Sequence, residues 1–504
     1  MGWTRSSGIL LHPTSLPGRF GIGELGDPAY RWIDFLAQSG QRLWQVLPLG
    51  PTGFADSPYA CLSAFAGNPL LISLEKLVES GELSRSDLAD APDFPDRQVD
   101  YGAVIDFKMP LLYRAAANFA SCASPERRAA YEQFCEGNAA WLQGFALFSA
   151  LKEHFGRVIW HEWDADIALR HPRALDHWQR SLATQCQTVQ VLQFFFAQQW
   201  HAVKRYANGH GIQIVGDVPI FVAHDSADVW AHPDLFCIDE RGRATFVSGV
   251  PPDYFSETGQ RWGNPLYRWD RMAESGYAWW IARLNAVLAL VDVVRIDHFR
   301  GFVAYWEIPA AEPTAFRGRW VPGPGAEIFE AIEGKMGRLP IIAEDLGVIT
   351  PQVIELRERF GFPGMKILQF AFDTEALHAS FGDYERNPFL PHNYTRDFVV
   401  YTGTHDNDTA LGWFNRCAAG DRQKAISYLG CDAQAFHWAL IRAAMSSVAD
   451  WAIIPFQDIL GLGSEARMNQ PGTVGDNWRW RCPPGALSDQ VAAQLAEMTQ
   501  LYER

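Results

Sequence analysis

The sequence predicts an α/β protein built as a (β/α)8 TIM barrel, with large, mostly helical insertions around the carboxyl-terminal face of the barrel. Eight short, largely apolar runs have the length and composition of strands that are buried on both faces, as in a parallel sheet. Stretches with helical character lie between many of them, and such alternation is typical of a parallel α/β fold. The predicted strands cover residues 8–12, 43–48, 212–221, 291–298, 340–346, 365–372, 398–404 and 451–456.

Local signals predict helices between these runs. Asp27 and Pro28 place an N-cap and a first-turn proline before a helix predicted over residues 29–39. Just ahead of the fourth predicted strand, apolar side chains recur at the spacing of one helical face, at Trp280, Leu284, Val287 and Leu288.

The chain of 504 residues is long enough for one large barrel with insertions, or for two to three ordinary domains. We expect one catalytic barrel unit over residues 1–504. About 160 residues separate the second and third predicted strands, far more than one crossover needs. Because stretches such as 139–154 and 188–206 have helical composition, we expect a mostly helical insertion over residues 60–205. A loop-rich insertion over the active site is expected at residues 222–275.

Composition restricts the classes of partner. Apolar residues make up 48% and charged residues 20% of the chain, which predicts a folded globular protein. The formal net charge of −15 argues against nucleic acid or an anionic membrane as the main partner, because both attract basic patches. The 20 Trp residues exceed what a core alone needs. Their flat faces suit stacking on sugar rings, although most of them are expected in the core.

Eight scattered Cys residues form no C-x-x-C pair and no His/Cys cluster. We therefore expect reduced thiols, with neither a zinc site nor a disulfide framework, and no other metal or cofactor. The first residues contain no signal-peptide core, and no apolar run of about 18 residues follows. The simplest expectation is a cytoplasmic enzyme.

One glycine motif invites a different interpretation. Gly21-Ile-Gly-Glu-Leu-Gly matches the dinucleotide-binding pattern G-x-G-x-x-G. That motif requires a strand that ends at the first glycine and an acid at the end of the next strand. Here Pro13 and Pro17 intervene, and the second predicted strand ends without an acid. We therefore expect a loop that allows a substrate or a neighbouring loop to approach closely, and we rank a dinucleotide-dependent oxidoreductase last.

Three of the later predicted strands end on carboxylates. Asp297 ends the fourth strand, Glu344 ends the fifth, and Asp406 follows the seventh. Because the carboxyl ends of all strands of a (β/α)8 barrel meet on one face, we expect these three side chains to converge. Two or three converging acids are the groups needed to break or remake a glycosidic bond.

The surroundings of two of these acids suggest different roles. Arg295 and Asp297 share one face of a strand, and a guanidinium lowers the pKa of a nearby carboxyl, which keeps it ionised as a nucleophile requires. The alternative is a structural ion pair. Glu344 follows an apolar run, so partial burial and the adjacent Asp345 would raise its pKa and suit a general acid. The alternative is a cap for the next helix, for which Thr350 is better placed.

The segment around Asp406 is ambiguous by itself. Asp408 or Thr409 could cap a helix predicted over residues 410–415. Asp406 could instead hydrogen-bond sugar hydroxyls and stabilise positive charge at the reacting carbon. His298 and His405 could be ordinary core or exposed imidazoles, but beside strand-end acids we expect them to hydrogen-bond sugar hydroxyls.

Longer motifs give a more specific signal. They are His12-Pro-Thr-Ser-Leu-Pro with the glycine motif above, Asp56-Ser-Pro-Tyr-Ala-Cys-Leu-Ser-Ala-Phe-Ala-Gly-Asn-Pro, Gly216-Asp-Val-Pro-Ile-Phe-Val, Val250-Pro-Pro-Asp-Tyr-Phe-Ser-Glu-Thr-Gly-Gln-Arg-Trp-Gly-Asn-Pro and Gly463-Ser-Glu-Ala-Arg-Met-Asn-Gln-Pro-Gly. With the three acidic passages, they make the chain resemble, over nearly its whole length, the amylomaltases of glycoside hydrolase family 77, which are 4-α-glucanotransferases or disproportionating enzymes.

The resemblance implies a role for each matched residue. Asp297 stands where the family has its nucleophile, Glu344 its acid/base and Asp406 its transition-state stabiliser. Positions that flank the reacting sugar are matched by Arg295, His298 and His405. Positions that line the glucan groove are matched by Asp217, Ser57, Tyr59, Gln260, Trp262, Asp373 and Asn469. We also expect Tyr254, Phe255 and Trp262 to help close the site and to stack on acceptor sugars, with packing of their loop onto the barrel as the alternative.

The expected function is transfer of α-1,4-glucan segments to the 4-hydroxyl of an acceptor glucan or glucose by a retaining double displacement. The nearest alternative is an amylase-type retaining α-glucan hydrolase with the same acids. A non-catalytic glucan-binding protein on a decayed barrel is a third, against which the three intact acids argue. The expected partners are maltooligosaccharides, amylose and glucose.

Overall fold

The computed structural model describes residues 3–252, 257–375 and 386–504. Within these residues the chain forms twelve strands, numbered here in chain order. They are β1 (Ser6–Leu10), β2 (Leu43–Gln45), β3 (Gln213–Pro219), β4 (Phe246–Val250), β5 (Gln260–Pro265), β6 (Val293–Asp297), β7 (Ala304–Pro309), β8 (Arg319–Pro322), β9 (Ile341–Ala343), β10 (Gly364–Ile367), β11 (Phe398–Tyr401) and β12 (Trp451–Pro455).

Eight of these strands form one parallel sheet, in the order β10-β11-β12-β1-β2-β3-β6-β9. Every residue of β1 and of β12 is buried, as expected for strands that are covered on both faces. The two ends of the sheet meet, because the Ala343 N–H donates to the Pro363 C=O at 2.9 Å and brings β9 beside β10. The sheet is thus a nearly closed barrel, and the predicted (β/α)8 fold is confirmed.

Several predicted strands extended too far at their carboxyl ends. The clearest case is the run over residues 365–372, where β10 ends at Ile367 and Leu368–Phe372 is a helix. A continuous apolar run does not distinguish a buried strand from a buried helix, so its pattern could not reveal the change. Phe456, the last residue of the predicted strand 451–456, likewise begins a helix, and the remaining overextended ends are loops at the barrel mouth.

The helices surround the barrel and fill its long connections. Gly26 is the N-cap of the first helix and Asp27 its first residue, which corrects the predicted N-cap, whereas Pro28 does lie in the first turn. No helix in the described parts of the chain has both the length and the apolar character needed to cross a membrane. The helices cover Asp27–Gln38, Leu74–Glu79, Tyr101–Cys122, Pro125–Gly137, Ala139–His154, Ala165–Ala168, Pro172–Ser181, Ala183–Gly209, Ala227–Ala231, Trp269–Glu274, Ala278–Leu290, Ala326–Met336, Pro351–Arg359, Leu368–Phe372, Ala410–Arg416, Ala419–Leu429, Phe436–Ser446, Phe456–Ile459 and Asp489–Leu501.

The connection between β2 and β3 is mostly helical. Its last and longest helix, Ala183–Gly209, joins it to the barrel, because Trp200 is fully buried and its indole N–H donates to the Leu290 C=O at 2.8 Å. The Trp200 ring also lies 6.0 Å from that of Trp44 on β2. The bounds of this insertion, residues 60–205, and the organisation of the chain as one catalytic unit stay predictions.

A second, antiparallel sheet lies beside the barrel mouth. Its strands follow the order β5-β4-β7-β8, and it has a small core of its own formed by Val247, Ile308 and Ala315. The ring of Trp262 on β5 meets the ring of His298 edge-on at 4.8 Å, directly after β6 of the barrel. The stretch that we predicted as a loop-rich insertion, residues 222–275, therefore contains two of the four strands of this sheet.

The glycine motif packs against neighbouring loops. A side chain at Gly23 would overlap the Pro13 C=O, and one at Gly26 would overlap the Ser73 hydroxyl. Between them, Glu24 forms a buried ion pair with Lys108, whose ammonium also donates to a backbone C=O. We expected the glycines to allow close approach of a substrate or of a neighbouring loop, and the structure shows the neighbouring loop there.

Candidate active site

Asp297 and Glu344 stand next to each other at the ends of adjacent parallel strands. The register pairs Ile296 of β6 with Ala343 of β9, so the next residues, Asp297 and Glu344, lie side by side. The Glu344 N–H donates to the Ile296 C=O at 3.0 Å, which continues the pairing to this point. Because neighbouring strands are about 4.8 Å apart, the two acids leave their strands at roughly that separation.

Arg295 contacts both Asp297 and another acid, Asp217. Its side chain is buried, and Nη1 donates to Asp217 Oδ1 at 2.8 Å and to Oδ2 at 2.7 Å, while Nη2 lies 2.9 Å from Asp297 Oδ1. Asp217 is opposite Arg295 in the pairing of β3 with β6, and it also accepts a hydrogen bond from the Tyr59 hydroxyl at 2.9 Å. The Asp217 carboxylate is therefore covered, and its structural contacts are to Arg295 and Tyr59.

The pKa of Asp297 does not follow our expectation from Arg295 alone. Burial raises the pKa of Asp297, and although Arg295 lowers it, the nearby charges of Asp217 and Asp406 raise it further. The net direction is upward, so the predicted lowering is wrong. A strand sequence shows which cation shares a face with an acid, but it does not show how much solvent the fold removes or which distant acids it brings close.

Glu344 has a different environment. Its carboxyl accepts the His298 N–H at 2.7 Å and the Leu346 N–H at 2.8 Å, so uncharged donors orient it. Burial and the adjacent charge of Asp297 raise the pKa of Glu344 to about 8, in the predicted direction. Two neighbouring carboxyls do not both ionise readily, and the contact of Arg295 with Asp297 favours the negative charge on Asp297 and the proton on Glu344.

Asp406 lies on the same face of the barrel, after β11. Its side chain is 42% exposed, Oδ1 accepts from the Asn469 amide at 2.6 Å, and His405 Nε2 is 3.3 Å from the same oxygen. The His405 ring stacks on that of Tyr59 at 5.1 Å. The structure thus brings Asp297, Glu344 and Asp406 together, and one oxygen edge of Asp406 remains open to solvent.

Comparison with known proteins assigns this arrangement to a family. Residues 11–488 match the family model described as 4-alpha-glucanotransferase. The 4-alpha-glucanotransferase of Synechocystis sp. is 54% identical over 504 residues, which is 99% of this chain and 98% of that protein. The one from Thermus thermophilus is 51% identical over 99% of each chain. The structure of the amylomaltase from Streptococcus agalactiae in complex with acarbose superposes with a TM-score of 0.94, at 40% identity and 99% coverage of both chains.

The chain belongs to the 4-alpha-glucanotransferase family. The predicted resemblance and the predicted enzyme class, a transferase of glucan metabolism, are therefore confirmed. The matches over nearly the full chain favour this family over the amylase-type hydrolase that we kept as an alternative.

The remaining predicted groove residues of this glucanotransferase lie in several places. His298 adopts a left-handed backbone conformation, with φ of 53°, directly after β6, and burial lowers its pKa to about 3, so its imidazole is neutral. Its Nε2 has no hydrogen-bond partner among the described residues. Trp262 is 39% exposed, and its indole N–H donates to Gln260 Oε1 at 3.2 Å. The Trp262 ring therefore leaves a flat, partly exposed surface beside the buried His298 Nε2.

Two other predicted residues are less closely tied to the acids. The Ser57 hydroxyl accepts the Tyr59 N–H at 3.2 Å and so shapes the loop that carries Tyr59. Asp373 follows the helix after β10 and accepts from the Trp413 indole at 3.3 Å. Tyr254 and Phe255, which we expected to close the site, lie outside the described residues.

Sequence reasoning missed residues that hold the Asp406 loop. Arg467 donates through Nη2 to the Asp406 C=O at 2.6 Å and through Nε to the Asn469 C=O at 2.7 Å. The ring of Trp478 lies 5.9 Å from His405 and 5.7 Å from Tyr59. Arg467 occurs within the 463–472 motif, but only the fold shows that its guanidinium reaches a loop sixty residues earlier.

Proposed function

We propose that this glucanotransferase moves α-1,4-glucan segments from a donor maltodextrin to the 4-hydroxyl of an acceptor glucan or glucose, by a retaining double displacement. The observation that carries the proposal is the placement of Asp297 and Glu344 at neighbouring strand ends, with Arg295 on one and neutral N–H donors on the other. Retaining mechanisms need the two carboxyls about 5–5.5 Å apart, close to the spacing of adjacent strands.

In the first half-reaction, Glu344 gives its proton to the glycosidic oxygen while an Asp297 oxygen attacks the anomeric carbon. The bond between that carbon and the leaving oxygen breaks, and a β-linked glycosyl-enzyme forms. The leaving glucan departs with a free 4-hydroxyl. The raised pKa of Glu344, about 8, supports this role because the carboxyl holds a proton at neutral pH.

In the second half-reaction, Glu344 is ionised and takes the proton of an incoming 4-hydroxyl. The acceptor oxygen attacks the anomeric carbon, the bond to Asp297 breaks, and the α linkage is remade. The enzyme then returns to its starting protonation state, so no cofactor is consumed. Transfer requires that sugar, and not water, reaches this intermediate. We assign that task to Tyr254, Phe255 and the partly exposed Trp262, which would stack on the acceptor.

Asp406 and its neighbours would stabilise the transition state. Its exposed oxygen edge is available to sugar hydroxyls, and a hydrogen bond that strengthens as positive charge develops would accelerate the chemistry. Neutral His298, and His405 beside Asp406, would bind hydroxyls on either side. The other groove residues that we propose as glucan contacts are Arg295, Asp217, Ser57, Tyr59, Gln260, Asp373 and Asn469. Because Arg295 contacts both Asp217 and Asp297, the contacts of Asp217 and Arg295 also support a role in orienting Asp297.

Incubation with maltotriose tests the reaction. We expect glucose together with maltodextrins longer than the substrate, and NMR of the new linkages should show the α configuration only. Shortening without elongation would instead identify a hydrolase.

Substitution of the nucleophile tests the residue assignment. Asp297→Ala should abolish turnover, while Asp476→Ala, at a fully exposed carboxylate, should transfer glucan like the parent enzyme. Substantial transfer by a folded Asp297→Ala enzyme contradicts the proposal.

We further propose that the whole chain acts as one catalytic unit, in which the 60–205 insertion and the 222–275 insertion border the glucan groove. A cytoplasmic location is part of the proposal as well. Fractionation of the source cells tests it, and recovery of the enzyme outside the cytoplasmic fraction would contradict it.

A further inference from the structure

The junction between β9 and β10, here called the seam, differs from the other junctions between neighbouring strands of the barrel. Seven neighbouring strand pairs are joined by ladders of three to five residue pairs. Between β9 and β10, both fully described, the sheet has no such ladder, and the strands are held by the Ala343 N–H donating to the Pro363 C=O. This seam lies directly beside Glu344.

The side chain of Asp345 bridges the seam. Its Oδ1 accepts the Met365 N–H of β10 at 2.7 Å, and its Oδ2 lies 3.5 Å from Nε of Arg357. The carboxylate is 9% exposed. Gly364 leaves the space that it needs, because a Cβ at that position would overlap both carboxylate oxygens. A side-chain acceptor thus replaces the backbone acceptor that a regular ladder would supply.

Arg357 extends the contact to the next strand. Its guanidinium is buried, with 4% of the side chain exposed, and Nη1 donates to the C=O of Asp397, just before β11, at 3.4 Å. The Arg357 guanidinium also lies 4.7 Å from the centre of the Phe398 ring, on β11 itself. The Asp345 and Arg357 side chains therefore tie β9 to both β10 and β11.

The contacts of the seam continue into the reacting groups. Glu344 and Asp345 are consecutive, so they point to opposite sides of the strand end, one into the mouth and one into the seam. The backbone N–H that follows Asp345, that of Leu346, donates to the Glu344 carboxyl. On the other side of the seam, the Met365 sulfur accepts from Arg295 Nε at 3.4 Å. Asp345 is therefore fixed to the segment that orients Glu344 and to the residue that touches Arg295.

We infer that Asp345 is a positioning residue, which holds the Glu344 carboxyl at its working distance from Asp297 by clasping the end of β9 to β10. This inference rests on the proposed function of Glu344 and Asp297. The regular ladder of β9 is to β6, and on the other side β9 is held to β10 by the Ala343 N–H and by Asp345. Loss of the Asp345 contact would therefore leave the loop that carries Glu344 less firmly held. Chemistry, and not glucan binding, depends on that distance.

Two substitutions at Asp345 separate position from charge. Asp345→Ala removes the acceptor for the Met365 N–H, and we expect kcat with maltotriose to fall about 10- to 100-fold, with little change in KM. Asp345→Asn keeps a carbonyl acceptor and should lose less. In Asp345→Ala the loosened Glu344 becomes more hydrated, so the alkaline limb of the kcat profile should move to lower pH. A residue that only stabilises the fold would leave that limb in place.

Two further variants complete the test. Gly364→Ala places a Cβ on β10 against the Asp345 carboxylate, although residue 345 itself is unchanged. It should reproduce the kinetic change expected for Asp345→Ala. Glu358→Gln removes an exposed acid on the far side of Arg357, 3.7 Å from its guanidinium, and should behave like the parent enzyme. If Asp345→Ala does not fold, Asp345→Asn and Gly364→Ala carry the test. Parent-like kcat and an unmoved alkaline limb in folded variants at both positions would overturn the inference.

Glu344→Gln distinguishes the two levels of argument. If Glu344→Gln is inactive while the Asp345 and Gly364 variants match the parent enzyme, only the positioning role is wrong. If Glu344→Gln retains transfer, the proposed function of Glu344 itself fails.

Discussion

Replacing Arg295 by Lys keeps a positive charge at the centre of the site but removes the planar, forked guanidinium. In the parent enzyme one nitrogen of that group binds both oxygens of Asp217, and the other binds Asp297. A single ammonium cannot reproduce both interactions. Asp217 is the more deeply buried partner, with a side chain that is 0% exposed against 30% for Asp297. Leaving the buried acid unpaired is the costlier choice, so we expect the lysine to stay with Asp217.

The magnitude follows from the contact that is lost. Asp297 then loses one charge-assisted hydrogen bond, which is worth about 1.5–3 kcal/mol. If all of this is lost from the transition state, kcat/KM falls roughly 10- to 150-fold. A second effect has a definite sign. Arg295 lowers the pKa of Asp297, so weakening this interaction raises that pKa further, and the acid limb of kcat/KM should move to higher pH.

The assay is the initial rate of glucose release from maltotriose across the pH range, with folding checked by circular dichroism. Arg319→Lys is the matched control, because Arg319 is 73% exposed and pairs with Glu307 on the second sheet. It should retain the parent rate and profile. A folded Arg295→Lys enzyme within twofold of the parent kcat/KM, with an unmoved acid limb, would refute the idea that Arg295 orients and ionises the nucleophile.

Two other predictions follow from buried charges. The pKa of Glu344, raised to about 8, means that its acid form is present below that pH and is lost above it, so kcat/KM of the parent enzyme should fall as pH rises through about 8; a limb near the ordinary carboxyl pKa would contradict the assignment. Lys108→Met leaves Glu24 buried without its cation and should lower the free energy of unfolding by about 3–5 kcal/mol, measured by urea denaturation. The double variant Lys108→Met/Glu24→Met should recover most of that loss, and equal stability of single and double variants would show that the pair is not coupled.

Much of the barrel could be predicted because its signals are local. Runs such as 451–456 are apolar along their length, and parallel strands buried on both faces require that composition. The carboxylates could be placed for the same reason, since any acid that follows a barrel strand must emerge at the mouth. Thr409 is a further example, because it caps its helix by accepting the Gly412 N–H, as the sequence indicated.

What the sequence did not reveal depends on partners that are distant in the chain. The antiparallel sheet depends on the pairing of β4 with β7, which are almost sixty residues apart, and its strands are short and contain glycines such as Gly249 and Gly263. Arg467 donates to the backbone C=O of Asp406. Every residue has such a carbonyl, so the pattern of side chains could not indicate this contact. The direction of the Asp297 pKa required knowledge of burial as well as of its neighbour.

The separation of the two acids is a consequence of strand order. An inverting enzyme needs its carboxyls about 6.5–9.5 Å apart so that a water molecule fits between substrate and base. Acids on strands that are not neighbours could provide that gap. β6 and β9 are neighbours in parallel register, and the backbone alone fixes their ends at about 4.8 Å. Asp297 and Glu344 directly follow the paired residues Ile296 and Ala343. This geometry favours direct attack by Asp297 over attack by water. If Asp297 and Glu344 act as proposed, the barrel would favour the glycosyl-enzyme route, and the surrounding loops would decide between acceptor sugar and water in the second step.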